Sequence, residues 1–156
     1  MIFDTDIGND ADDAMAMAII HALENRRECR LLAVTLTKDN PYAGPMVDLL
    51  NTFYGRGSIP IGLVAKGVTP EDGKYLRQVV TATDGGKPRY AHDFRPGKDA
   101  PEAVDLLRRV LAAQPDGSVV MVQVGFCTNL ARLLDSKPDR HAPIPGRELV
   151  RRKVRL

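Results

Sequence analysis

Residues 1–23, MIFDTDIGNDADDAMAMAIIHAL, decide how the rest of the chain is read. Residues 1–4 are a short strand-like run. Residues 12–25 form an apolar, helix-like run, and an acidic turn joins the two. Five of the ten residues from 4 to 13 are aspartates: Asp4, Asp6, Asp10, Asp12 and Asp13. Carboxylates this close repel one another, and taking them out of water costs more still. The cluster therefore needs full hydration or a positive partner. Asp12 and Asp13 fall in the first helical turn, where acids suit the positive end of the helix dipole. That local role accounts for one or two acids, not five.

Downstream, strand and helix signals alternate. RLLAVTLT (30–37) is a mostly apolar run rich in Leu, Val and Thr, as expected of a buried strand. NPYAGPMVDLLNTFYG (40–55) carries Met46, Val47, Leu49, Leu50 and Phe53 at helical spacing, with Gly55 and Gly57 to stop it. IPIGLVA (59–65) is a third strand. Residues 66–100 are rich in Gly, Pro, Asp and Lys and read as a long loop with a turn of helix near 75–80. PEAVDLLRRVLAAQ (101–114) places Ala103, Leu106, Leu107, Val110 and Leu111 on one face, with Pro101 at an early helical position. DGSVVMVQVG (116–125) is the clearest strand, and TNLARLLD (128–135) begins another helix. Helix 12–25 is apolar nearly all round, which predicts burial on every side.

The order β-α-β-α-β-loop-α-β-α predicts an α/β fold: a mostly parallel, open, Rossmann-like sheet with helices on both faces. The 156 residues suffice for one such domain, 1–156. Ligand sites in these sheets lie beyond the carboxyl ends of the strands. That rule brings three polar strand ends to one crevice: Asp6 after the first strand, Lys38–Asp39–Asn40 after the second, and GFCTN (125–129) after the fourth.

Composition is that of an ordinary globular protein, 44% hydrophobic and 27% charged, and the net charge of +2 gives no bulk attraction to nucleic acid or membrane. The basic tail GRELVRRKVRL (146–156) reads as a solvated helix face. Cys29 and Cys127 are too few and too far apart for a disulfide framework and read as buried or half-buried thiols. No run approaches the ~20 apolar residues of a membrane span, and no signal peptide is visible, which favours a cytoplasmic setting. The first strand is short, so the start is expected to be trimmed.

Clustered carboxylates suit a hard divalent cation such as Ca²⁺, which takes carboxylate, carbonyl and water oxygens. Asp6 offers one from the strand side. Asp10, Asp12 and Asp13 offer others at the helix entry, with Gly8 allowing the tight turn between. Asp12 and Asp13 point about 100° apart on a helix, so one can face an ion while the other faces a substrate or caps the helix. An EF-hand does not fit: Gly8 stands where a ligand belongs, Asn9 where glycine belongs, and Met15 where the bidentate Glu belongs.

The stretch DTDIGNDADDAMAMA (4–18) resembles the N-terminal fingerprint of the inosine-uridine-preferring nucleoside hydrolases, an aspartate-rich loop after the first strand. LLAVTLTKDN (31–40) resembles the family's second-strand segment ending in a ribose-contacting Asn, and VQVGFCTNLARLL (122–134) its G-x-x-TN-x-A segment. The resemblance implies a Ca²⁺-dependent enzyme that splits ribonucleosides into ribose and free base, in purine and pyrimidine salvage. It implies Asp6 as a calcium ligand and the base that activates water, Asp13 as a bidentate calcium ligand, and the Thr128 main-chain carbonyl as a further ligand. It implies ribose contacts from Asp12 and Asn40. The expected partner is a small-molecule ribonucleoside, with no nucleic acid and no membrane.

Two departures from the family pattern stand out. The loop GNDADDA is two residues longer than the common GxDDA form, which leaves Asp10 without an assigned role: it replaces Asp12 or joins the metal. Family members are also much longer, and their second half supplies a further calcium aspartate, pocket residues and often a His that protonates the leaving base. The chain is thus expected to represent the N-terminal half of such a domain, truncated, with an exposed sheet edge that drives homo-oligomerisation. Of His21, His92 and His141, none obviously replaces the missing acid. Two rival readings are a Mg²⁺-dependent phosphohydrolase of the haloacid-dehalogenase type, built on Asp4 and Asp6, and a non-catalytic calcium- or sugar-binding remnant. Gly8 stands where the phosphohydrolase pattern expects a hydroxyl residue.

Overall fold

A computed structural model describes residues 1–95 and 100–155. In chain order the elements are β1 (Ile2–Thr5), α1 (Asp12–Asn25), β2 (Ala33–Lys38), α2 (Ala43–Phe53), β3 (Ile61–Val68), α3 (Leu76–Val80), β4 (Thr83–Asp84), β5 (Lys87–Pro88), α4 (Ala103–Ala112), β6 (Met121–Gln123), α5 (Thr128–Asp135) and α6 (Gly146–Lys153). The main sheet has the order β3-β2-β1-β6, and every pairing in it is parallel.

Alternation along the strands divides the core into two layers. Phe3, Val34, Leu36 and Ile61 meet Met17 and Ile20 of α1, Met46 and Val47 of α2, and Leu76 and Val80 of α3. Ile2 and Val119 meet Leu107 and Leu111 of α4, Leu133 of α5 and Leu149 of α6. Each fully buried side chain of this size contributes roughly 1.5–3 kcal/mol. The chain steps from β1 outward to β2 and β3, then returns to lay β6 on the other side of β1. The direction of winding therefore reverses between β1 and β6, and the crevice at such a switch point is where open parallel sheets bind ligands.

Several local expectations are corrected. Helix α1 is buried along one stripe only, Asp13, Met17, Ile20 and His21. Met15 and Ile19, which face away from the sheet, are 62% and 59% exposed. The stretch 116–125 forms just three ladder residues, because Gly117 turns the chain at φ +63 and Val119 pairs elsewhere. That other partner is Val154, in a parallel bridge fixed by Val119 N–H to the Lys153 carbonyl (3.0 Å) and Arg155 N–H to the Val119 carbonyl (2.8 Å). Pro101 precedes α4; Glu102 is the N-cap, accepting from the Val104 and Asp105 N–H groups. Within 66–100, α3 and the β4–β5 hairpin give the described part regular structure. Cys127 is exposed, not buried.

The segment 136–146 is held by one buried side chain. Arg108 of α4 makes a two-pronged ion pair with Asp139 and donates to Ser136 Oγ and to the carbonyls of Ala142 and Ile144. The basic residues Arg147, Arg151 and Arg152 lie on the solvent side of α6, with Glu148 bridging the last two.

Candidate functional site

The three strand ends converge. Residue 125, after β6, lies so close to β1 that a Cβ on Gly125 would stand 2.7 Å from the Asp6 nitrogen and 2.8 Å from the Thr5 carbonyl carbon. The next residue, Phe126, donates its N–H to Thr37 Oγ1 of β2, and Thr37 in turn donates to the Thr5 carbonyl. From the other side, Gly8 has φ +123 and gives its carbonyl to Lys74 N–H (2.8 Å). A Cβ on Gly73 would collide with that same Gly8 carbonyl. Glycine is required at both places, and the long loop after β3 clamps the acid turn.

Within the turn, carboxylate oxygens of Asp10, Asp12 and Asp13 all lie within 4.8 Å of one another. Helix capping does not explain this grouping. The cap position of α1 is Ala11, with no side-chain cap bond, and only Asp12 bonds a helix N–H, that of Asp13 (2.9 Å). Asp10 and Asp12 are exposed. The two carboxylates act on each other, which raises the pKa of Asp10 and lowers that of Asp12. Asp13 is buried and accepts from Thr5 Oγ1 at 2.6 Å. Burial raises its pKa, the Thr5 bond opposes, and the charges of Asp6, Asp12 and Asp10 add to the rise.

The donor set is all oxygen, gathered tightly and electrostatically unsatisfied, and it fits a hard divalent cation. Asp10, left without a role by the resemblance, belongs to the group. Asp6 is half-buried at the end of β1 and stands beside it: its Oδ2 accepts from Asn9 Nδ2 at 3.0 Å. Thr128 is the first residue of α5, three positions past the Gly125 contact. Asn40 is buried, and its amide is already engaged, donating to the Pro70 carbonyl (2.7 Å) and Asp72 Oδ1 (3.0 Å) and accepting from Tyr42 N–H (2.8 Å). A ribose contact from Asn40 requires it to exchange one of these bonds.

Asp4 points to the other layer. It is buried, accepts from Thr35 Oγ1 and from Asn129 Nδ2 (2.9 Å), and burial raises its pKa. Its second oxygen has no partner among the described residues. Two residues near the site were given no role by the sequence reading. Lys38, buried at the end of β2, donates to Asn9 Oδ1 at 2.8 Å. Tyr75 has its pKa pushed up to about 12 by burial, with the charges of Asp13, Asp10 and Asp12 adding to the rise. The histidines have other partners: His21 with Asn51, His92 with the Tyr90 carbonyl, His141 with Asp105.

A cavity of about 490 Å³ opens elsewhere, lined by Glu24, Arg30, Arg56 and Arg109 among others. It lies at the amino ends of β2 and β3, the end of a parallel sheet that does not form ligand sites, and Arg109 there sits in the last turn of α4, offsetting the helix dipole. The strand-end acid turn is the stronger candidate.

Residues 1–145 match the model of the inosine-uridine preferring nucleoside hydrolase family. A solved plant nucleoside hydrolase aligns with a TM-score of 0.57 at 25% identity, covering 83% of this chain and 40% of that one. The chain thus spans well under half the length of that enzyme. No curated protein sequence matches it. The match takes in the acid turn, the Asn40 segment and the Thr128 segment together, and it weighs against the phosphohydrolase reading. By sequence and by fold, the chain belongs to the inosine-uridine preferring nucleoside hydrolase family.

Proposed function

We propose that this chain is the metal- and ribose-binding half of a nucleoside hydrolase, the N-terminal half of the family's domain, acting on the N-glycosidic bond of ribonucleosides with Ca²⁺ as cofactor. The observation that carries the reading is the grouping of Asp10, Asp12 and Asp13 within 4.8 Å at the carboxyl end of the central strand, at the winding switch. Asp13, braced by Thr5, and Asp10 hold the cation in this reading, with Asp6 and the Thr128 carbonyl as further ligands. Calcium held there would supply a charge that polarises a sugar diol and a water molecule. Asp6 would take a proton from the attacking water as general base. Asp12 and Asn40 orient the sugar, and the negative surroundings favour an oxocarbenium-like ribosyl centre. The two unbonded cysteines, one of them exposed, fit a reducing, cytoplasmic setting.

The test is release of ribose from inosine or uridine by the purified chain in Ca²⁺. Asp13→Ala is expected to abolish Ca²⁺ binding and ribose release together, and Asp6→Asn to lower turnover by at least about a hundredfold. Calcium uptake without turnover assigns the chain to a binding role. Absence of calcium uptake overturns the metal site itself.

A further inference from the structure

We propose that Lys38 is a positioning residue of this site: its ammonium fixes Asn9, and Asn9 fixes the carboxylate of Asp6. The inference rests on the reading of Asp6 as ligand and base given above. Lys38 is the last residue of β2 and is only 2% exposed, one of the largest wholly buried side chains. An ammonium is expensive to bury unless it is paired, and packing alone at this position is served better by Met or Leu. Its Nζ donates to Asn9 Oδ1 at 2.8 Å, and Asn9 Nδ2 donates to Asp6 Oδ2 at 3.0 Å. An amide has distinct ends. With its oxygen held by a cation and its NH₂ held by a carboxylate, Asn9 has one permitted orientation. The chain Lys38–Asn9–Asp6 therefore sets the direction in which Asp6 presents its other oxygen.

A residue that merely balances charge predicts the opposite outcome from one that positions a ligand, which makes the inference decidable. Removing a positive charge near an acidic site strengthens cation binding. Removing an outer partner that orients a ligand weakens it, by about 10- to 100-fold. Calcium titration calorimetry on the full chain, wild type against Lys38→Met, Asn9→Ala and the double variant, reads the sign. The expected result is weakening of at least about 10-fold in each single variant, with the double variant no weaker than the worse single, because both break one relay. Unchanged or tighter binding by Lys38→Met overturns the proposal, as do single losses that multiply in the double variant. If Lys38→Met does not fold, Asn9→Ala, in the loop outside the core, decides alone: the same loss supports the relay and wild-type affinity overturns it. Wild-type protein that takes up no calcium overturns the metal reading and the relay together. Wild-type uptake with both variants unaffected overturns the relay only.

Discussion

His21 shows how one side chain couples this fold to pH. It is wholly buried between α1 and α2, its Nε2 lies 3.0 Å from Asn51 Oδ1, and its ring stacks on Tyr54 with centroids 4.6 Å apart. Burial lowers its pKa below 6.5; Asn51 and Glu24 oppose the shift and Arg56 assists it. Above that value the imidazole is neutral whether folded or not, and it contributes no pH dependence. Below it the unfolded chain takes up a proton that the folded chain refuses. Stability therefore falls as pH drops from about 6.5 toward the folded pKa, with a slope of at most about 1.4 kcal/mol per pH unit. His21→Gln is expected to lose less stability between about pH 7 and 5.5 than the wild type, as read by urea unfolding at each pH. The sequence showed His21 within a helix and nothing of its partner thirty residues away. The acids were legible for the opposite reason: their meaning lies in their own spacing. The strand-end rule put Lys38 at the crevice without a role, and only the fold brings its ammonium to Asn9.

Among the elements, helix boundaries were read best. The limits of α1 and α5 coincide with the apolar runs 12–25 and 128–135, because the whole signal is local. The strand β6 was overread, since an apolar run such as SVVMVQV reports hydrophobicity, not how many residues find a neighbouring strand. The connection 136–146 has no apolar periodicity at all, and its order comes from Arg108. Truncating that side chain leaves two carbonyls and the Asp139 carboxylate without their shared donor. Arg108→Met is expected to destabilise by about 2–3 kcal/mol in chemical denaturation, below the figure for a fully buried pair because Asp139 retains some water. A change under about 0.5 kcal/mol is what a surface pair gives, and it would show that this contact does not hold the segment.

For the whole molecule, the parallel sheet and the convergence of strand ends were present in the sequence, because each follows from the order of elements and a topological rule; the family was present in the three motif stretches that resemble it. What could not be read is which surfaces remain bare. The expectation of assembly was argued from a sheet edge. The structure adds a second surface, Met15 and Ile19 one turn apart on the outer side of α1. No helix among the described residues is long and apolar enough to cross a membrane, so a bilayer-spanning helix does not account for that surface. Sedimentation velocity over a concentration series is expected to show self-association, and Met15→Lys with Ile19→Lys is expected to restore the monomer. Association that persists in the double variant places the contact elsewhere.

The bridge between Val119 and Val154 narrows those possibilities. Even-numbered residues of the β6 strand turn toward β1: Val120 accepts from Ile2 N–H and Val124 donates to the Asp4 carbonyl. Odd-numbered ones turn outward, where Val119 is already taken by a segment running in the same direction as β6. Among the described residues Met121 and Gln123 have no ladder partner on that outer side, and the bridge gives it a polarity and a phase. Any strand that pairs there takes its phase from the bridge between Val119 and Val154.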